Sequence, residues 1–511
     1  MWGLVVALSL LARFCVLRRN LTSKNGTPIP PGPPLRYACL RKYPERRLDA
    51  WAKQYGGLFS VWMGNQLFVV ISDPKVARDL LVTQGAIFSS RKNYFMKNQM
   101  ILTGRAITAS PYNDKCLTDI VQHHRRLAMQ FLSPKAIEAH GPSLDYEASI
   151  LVRSFYNEGK QGSIGLDPSS HTGRYALNNM LTLSFGTRTD SASSPLLDAA
   201  LEVAMEFMDL TGPWSNIIDF ITPLQWIPTK MRSRGRKLHD DLIKVYGSMY
   251  MALKARIDAG EIVPECLVRT LIETHEHEKL DWEDTCMLAA VFTLGGVHST
   301  SGLLQWFLAL LPSYPDVQAR AHEELDQVIG RDHWPGAEDE ARLPYIRAII
   351  KEVQRVHAPF WMGTPHYSTE DYEYNGMFIP KDTVLVLNCF TMHHNEARYP
   401  DPHAFNPERY LGDELSCAES AKLSDPMARD HWAFGGGRRI CPGLAAAERE
   451  LFLAVSRILW TFNVRALPSE PISLEEYEGK SGRTPVPFRV QLQPRHENVH
   501  AILAGIEELS H

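Results

Sequence analysis

The chain has 511 residues, 44% hydrophobic and 22% charged, which is enough apolar material for one large domain or for two or three average ones. A formal net charge of -4 gives no electrostatic reason to expect nucleic acid as a partner. The cysteines, at 15, 39, 116, 266, 286, 389, 417 and 441, form no CxxC pair, which argues against a dense disulfide framework and for a reducing compartment.

Trp2–Leu17 is apolar apart from Ser9 and Arg13, and Arg18 and Arg19 follow it. At about 1.5 Å per residue this run spans roughly 24 Å of the ~30 Å hydrocarbon core, with Arg13 snorkelling to the interface. No small-x-small cleavage site precedes the basic pair, so residues 1–19 are read as an uncleaved transmembrane anchor, with a cleaved signal peptide as the rival. Positive charge after the run puts the body in the cytosol. The run Pro28–Pro34 cannot be helix or sheet and reads as a stiff spacer, so 20–36 is expected to be a hinge and 37–511 the body.

Along the body, Leu58–Pro74 holds two β-rich runs around Gly64-Asn65, a hairpin signal. From about Pro74 to His357 the pattern is mostly helical, with loops near Thr103–Asp114 and Thr211–Pro228. Phe378–Asn388 reads as a strand pair, a helix follows Cys441 to about Trp460, and the segment from Thr484 closes with β. The fold class is mainly α with a minor β region, in one large unit.

"FGGGRRICPG", Phe434 to Gly443, is too costly in backbone entropy for simple packing around a cysteine. Pro442 suits the first position of a helix, which puts Cys441 where free N–H groups and the dipole favour a thiolate. Such a thiolate is a nucleophile or a metal ligand. No second Cys or His stands at zinc spacing, and a lone thiolate beside a Gly-rich loop suits a haem iron.

Phe434, Gly437, Arg439, Cys441 and Gly443 match FxxGxRxCxG, and on these residues the chain resembles the cytochrome P-450 monooxygenases. The resemblance implies the haem-thiolate fold of that family, haem b with Cys441 as axial iron ligand, and Arg439 paired with a propionate. Glu352 and Arg355 of "KEVQR", three apart on one helical face, with Arg409 of "FNPERY", resemble the family's buried triad that locks the loops before the cysteine. His366, after Pro365, is the implied second propionate contact. The resemblance runs from the Pro-rich segment to the last strands.

Glu283–Leu311 is a long apolar helix candidate interrupted by "GGVHST", Gly295–Thr300. Paired glycines cost roughly 1 kcal/mol each against alanine, which suggests a local widening or a close ligand. The family pattern there is [A/G]-G-x-[D/E]-T-T, whose acid and first threonine pass protons during oxygen activation. This chain has His298 for the acid and Ser299 for the threonine, followed by Thr300. An imidazole titrating near pH 6.5 is expected to relay in place of the carboxylate, with water as the alternative carrier. A second departure lies upstream: Arg125 matches the arginine of the family's Trp-x-x-x-Arg, but Val121 stands where tryptophan is expected. "CLTDIV", Cys116–Val121, reads as an insertion or a mis-predicted exon boundary.

The resemblance also implies a substrate wall of Phe292, Ala358, Phe360, Trp361 and Met362, hence an apolar, ring-containing substrate. The apolar loop Pro213–Pro228 would dip into the membrane, and the basic stretch Lys230–Lys237 would meet anionic lipid or an acidic reductase. The chain carries no dinucleotide fingerprint and no flavin domain. Electrons then come from NADPH through a separate cytochrome P-450 reductase, with cytochrome b5 as a second donor, and the enzyme sits in the endoplasmic reticulum membrane as a single-pass protein. "STEDYEYNGMFIP" and "PDPHAFNPERYL" resemble fungal monooxygenases of secondary metabolism, such as the O-methylsterigmatocystin oxidoreductase group. The rivals are a haem-thiolate isomerase or dehydratase that needs no external electrons, and a haem-binding pseudoenzyme or sensor.

Overall fold

The computed structural model describes residues 21–37, 40, 42–105, 107–108, 111, 115–189, 194–212, 214–278 and 280–506, with side chains not described at 36, 115–123 and 275–278. The anchor expected at 1–19 lies outside these residues. Among the described residues, the helix long and apolar enough to cross a membrane is the central one beginning at Trp282, and it is mostly buried inside the protein.

The β region builds one wall. β1 (Arg36–Tyr37) runs parallel to β2 (Leu58–Met63), which forms an antiparallel hairpin with β3 (Gln66–Ile71). Gly64 and Asn65 make the turn, as the sequence predicts. The Pro-rich segment is not a free spacer. Ser60 donates its hydroxyl to the Pro30 carbonyl (2.6 Å) and its backbone N–H to Pro31 (2.7 Å), and a Cβ on Gly32 would lie 1.9 Å from the Ser60 carbonyl oxygen. The segment is therefore docked on the sheet edge.

The expected strand pair at 378–388 divides differently. β6 (Tyr372–Tyr374) pairs with β7 (Met377–Ile379), whereas β8 (Val384–Leu387) runs parallel to β3 and antiparallel to β5 (His366–Tyr367). A short Gly376 turn closes the first hairpin, leaving the apolar Val384–Leu387 to complete the larger sheet. A second sheet joins β4 (Gly165–Leu166), β12 (Val490–Pro494) and β9 (Phe462–Ala466), and β10 (Tyr477–Glu478) pairs with β11 (Thr484–Pro485).

Helices fill the rest. The long ones are α1 (Pro44–Tyr55), α2 (Lys115–Leu132), α3 (Gly141–Glu158), α4 (Ser169–Phe185), α5 (Pro195–Thr211), α6 (Lys230–Asp258), α7 (Leu267–Glu278), α8 (Trp282–Leu310), α9 (Pro315–Val328), α10 (Pro344–Val356) and α11 (Leu444–Thr461). Helix α8 starts at a capping box between Asp281 and Asp284 and is buried along most of its length, so it is the axis on which α4, α6 and α11 pack. The paired glycines do not widen it: the helix is α throughout. A Cβ on Gly296 would lie 2.3 Å from Met180 Sδ on α4, whereas a Cβ on Gly295 would meet nothing within 4 Å. One glycine serves helix contact, and the other opens on a cavity.

The segment read as an insertion contributes backbone to the first turns of α2, and the side chains of Cys116 and Val121 are outside those described.

Candidate functional site

Three elements converge on one interior cavity of about 330 Å³: the middle of α8, the loop before α11, and the turn after α10. The loop carries Cys441. Its backbone N–H donates to the Phe434 carbonyl (3.0 Å), closing a ring of residues whose inner side includes Phe434, Gly435, Arg439, Cys441, Pro442 and Gly443. Gly437 has φ +63, and a Cβ there would lie 2.0 Å from the Leu81 carbonyl oxygen. It lets the loop press on the helical turn Arg78–Thr83 rather than on a ligand. Of the three successive glycines Gly435–Gly437, Gly435, with φ +69 and open space at its Cβ, is the one that lines the cavity.

Cys441 is two residues ahead of Gly443, the N-cap of α11, so Pro442 precedes the cap instead of taking the first helical position that the sequence suggests. The dipole does not prevail here: burial pushes the Cys441 thiol up, against the Gly443 N–H and the Arg125 charge, which favour the thiolate. A bound metal cation is the kind of interaction that would offset that cost.

The charge around the cavity is one-sided. Arg91, Lys92, Lys97, Arg125 and Arg439 line it, and Glu450 is the one carboxyl among the described lining residues. Burial, then the neighbouring Arg439 and Arg125, push the Arg91 guanidinium well down, and its Nε has no hydrogen-bond partner among the described residues. Burial, then Arg91, brings Lys97 to about 7. Arg439 donates to the Ser89 carbonyl (2.9 Å) and Arg125 to the Ile440 carbonyl next to the cysteine. His366 Nδ1 faces the Phe88 carbonyl (2.7 Å), while burial and then Arg91 hold the imidazole well below its ordinary range. Crowding Arg91 and Lys97 together out of water is costly, and a dianionic ligand would relieve that cost. A thiol, an open glycine and clustered cations are the donor set that fits a metalloporphyrin with carboxylate substituents.

The predicted triad is assembled. Arg355 donates to both carboxylate oxygens of Glu352 (2.7 Å each), and both residues are 0% exposed. Its remaining N–H groups reach the carbonyls of His393, Pro402 and Ala404. Arg409 Nε (3.3 Å) and the Asn406 N–H (2.8 Å) complete the Glu352 shell, which ties α10 to the chain leading to Cys441.

Elsewhere the structure departs from expectation. Ser299 and Thr300 line the cavity, but His298 does not. Successive helical residues are rotated by about 100°, so His298 points to the β10–β11 turn, where a Cβ on Gly482 would lie 2.0 Å from its Cδ2. Burial pushes its pKa down, so the ring is neutral and outside the cavity, and the expected imidazole relay has no geometric support. Of the expected substrate wall, Phe292 and Phe360 line the cavity. Ala358, Trp361 and Met362 pack instead with Phe59, Phe68, Trp214 and Phe220 against the sheet, because the turn after α10 carries Pro359 and Phe360 to its cavity side and these three to its sheet side. Within the loop expected at the membrane, Trp214, Ile218 and Phe220 are buried, while Trp226 is 81% exposed. In the basic stretch, Arg234 and Lys237 pair with Glu206 and Asp241.

Sequence reasoning passed over Glu450, Lys97 and Arg91. Lys97 and Arg91 sit in a stretch that carries no motif. Cys417, Asp430 and His431 form a buried group, but it closes on itself. His431 Nε2 is 2.9 Å from Gln354 Oε1, Lys351 Nζ lies 3.8 Å from Asp430, and none of the three lines the cavity.

The family model described as cytochrome P-450 matches residues 30–492. The chain is 28% identical over 506 residues to the monooxygenase polD of Polytolypa hystricis, covering 96% of this chain and 95% of that protein. It is 33% identical to the monooxygenase verL of Clonostachys rogersoniana, over 85% of this chain and 80% of that one. It is 30% identical to the monooxygenase virE of Hypocrea virens, over 94% and 88%. All three relatives bear the name cytochrome P-450 monooxygenase. A solved zebra fish cytochrome P-450 structure with progesterone shares the fold at a TM-score of 0.74 and 24% identity, covering 89% of this chain and all of that one.

Proposed function

This chain belongs to the cytochrome P-450 family and is a haem-dependent monooxygenase driven by NADPH electrons from a reductase, and on that footing we propose that Cys441 is the axial ligand of its haem b. The observation that carries the assignment is the single thiol opening on a cavity whose described lining holds five cationic side chains and one carboxyl. Arg91, Arg125, Arg439 and His366 would hold the carboxylates of the haem, and Phe434 and Gly435 would lie beside it. When bound, the haem activates O2 so that one oxygen atom enters a C–H bond of the substrate.

The chain's own residues supply the rest. Glu352, Arg355 and Arg409 hold the loop so that the Cys441 Sγ faces inward. Phe292, Phe360, Val291 and Phe207 make an apolar wall that excludes water and suits an apolar small molecule, in keeping with a role in fungal secondary metabolism. Ser299 and Thr300 put hydroxyls on the cavity surface, where they can hold a proton. Behind the loop, a second concavity of about 660 Å³ carries Arg78, Lys422 and Arg438, a basic face suited to the acidic surface of NADPH–cytochrome P-450 reductase, or of cytochrome b5. The exposed Trp226 and Ile227 beside it in sequence to the basic start of α6 suit a membrane surface, consistent with residence at the endoplasmic reticulum.

The test is the absorption spectrum of the reduced protein under carbon monoxide. A strongly red-shifted Soret band in the wild type, lost in Cys441→Ala, supports the ligand assignment. A band typical of a neutral proximal ligand, or one that survives Cys441→Ala, overturns it.

A further inference from the structure

The monooxygenase reading, on which this inference rests, accounts for an apolar substrate body but not for a lysine on the cavity wall. We propose that Lys97 determines specificity, its ammonium binding a carboxylate on an otherwise apolar substrate.

Lys97 stands on the helical turns Phe95–Ile101, which pack against α5 and α6. Two side chains hold these turns in place: Asp219 Oδ1 accepts from the Met96 N–H (2.9 Å), and His239 Nδ1 meets the Ile101 carbonyl (2.8 Å). Met96 and Met100 take the side towards α6, where a Cβ on Gly235 would lie 2.5 Å from Met96 Sδ and 3.4 Å from Met100 Cβ. Lys97 lines the cavity instead, as do Phe207, Met208 and Thr211 of α5. Its side chain is half-buried, yet burial is the largest influence on its charge. Both hold because the surface it leaves open is cavity wall and not bulk solvent.

Among the described residues, no acid answers this cation. Glu206 and Asp209 of α5 pair with Arg234 and Lys480, and Glu283 of α8 pairs with Arg105. Asp219 is taken by the Met96 N–H and acts on Lys92, while Glu450 accepts from Thr300. The charged neighbour of Lys97 is Arg91, a second cation, so burial and then Arg91 bring it to about 7. Arg91 is flanked in turn by Arg439 and Arg125, the cations beside the cysteine loop, whereas Lys97 has neither for a neighbour. The haem carboxylates are thus served by Arg91, Arg125, Arg439 and His366, and Lys97 is left to the substrate.

A lysine out of water beside another cation is costly until an anion joins it. Packing alone does not account for it, since an apolar side chain would carry no such cost. Thr108 Oγ1 lines the same cavity without a hydrogen-bond partner among the described residues, and offers the anion a further donor. A carboxylate held at Lys97 leaves a carbon remote from the acid at the Cys441 end, so the same contact sets which C–H bond is presented.

The experiment titrates the haem-loaded full chain with alkyl imidazoles of graded chain length, each ending in a carboxylate or in the matching primary amide. The imidazole nitrogen binds iron and shifts the Soret band, which reads the affinity of both kinds of probe. At one or more chain lengths the acid should bind about tenfold or more tightly than its amide. Lys97→Met should erase that preference while amide affinities stay in place, and Lys97→Arg should keep most of it. A wild type in which no acid outbinds its amide overturns the proposal, as does a preference that survives in Lys97→Met. Loss of haem from Lys97→Met would assign the residue to a haem carboxylate and overturn the proposal too. No Soret shift with any probe, acid or amide, would mean that the haem-thiolate reading has failed and the proposal with it, whereas normal shifts without an acid preference sink the proposal alone.

Discussion

Glu352→Ala is the most informative perturbation of the scaffold. It removes both oxygens that bind Arg355 at 2.7 Å and leaves that guanidinium fully buried with carbonyl partners alone. The Asn406 N–H and Arg409 Nε lose their acceptor as well. Breaking a buried pair by removing one partner costs about 3–5 kcal/mol. Against a total stability of about 5–15 kcal/mol, that is two to three and a half powers of ten in the folding equilibrium. Because Arg355 also holds the carbonyls of His393, Pro402 and Ala404, the loss falls on the chain approaching Cys441, so haem content should fall with stability. The assay is urea unfolding followed by tryptophan fluorescence, together with the haem-to-protein absorbance ratio. In Glu352→Ala/Arg355→Ala the orphaned charge is gone, so the double variant should lose less than the sum of the singles. Normal haem content with a stability change under about 0.5 kcal/mol in Glu352→Ala would refute the reasoning.

Four further outcomes are expected. Gly437→Ala must clear the Leu81 carbonyl at 2.0 Å as well as adopt φ +63, whereas Gly435→Ala meets open space at φ +69. In the haem-free protein the first should lower the thermal midpoint well beyond the second, for which about 1–2 kcal/mol of left-handed strain is expected, and equal losses would contradict the packing account. Cys417→Ser should leave the reduced carbon monoxide band in place, since Cys417 does not line the cavity. Trp361→Ala should cost about 3–5 kcal/mol in unfolding, while Phe360→Ala should chiefly change the affinity of an azole that enters the cavity, read by its absorbance shift. Glu450 has its folded pKa raised to about 8 from the ordinary 4.5, so the native state binds more protons than the unfolded state between those values. Its contribution is fully present below pH 4.5 and lost as pH rises through about 8, so wild-type stability relative to Glu450→Gln should decline from pH 5 to pH 8, and a flat difference would rule out the raised pKa.

Much of the site is legible along the chain because local spacing governs it. The Phe434–Gly443 loop, the i,i+3 pair Glu352–Arg355 and the long helix around Gly295–Thr300 are encoded within a few turns of backbone, and each appears where its pattern puts it. Arg409 joins the pair from a distant segment, but its neighbours Pro407 and Glu408 mark it. The β hairpin at Gly64-Asn65 is equally local, since the turn sets the register of its two strands.

What the tertiary structure alone decides is the direction in which side chains at neighbouring positions point. A rotation of about 100° separates His298 from the cavity that Ser299 and Thr300 line, and no periodic pattern reveals it in a helix that is apolar on every side. The turn after α10 puts Phe360 inside the cavity and Trp361 in the sheet core, although both are aromatic. Glu450, Arg91 and Lys97 stand in no motif that marks them along the chain. Only the packing of α11 on α8, and the enclosure of the segment before α2, take these charges out of water. Burial then holds a proton on Glu450 and leaves the two cations without a counter-charge among the described residues.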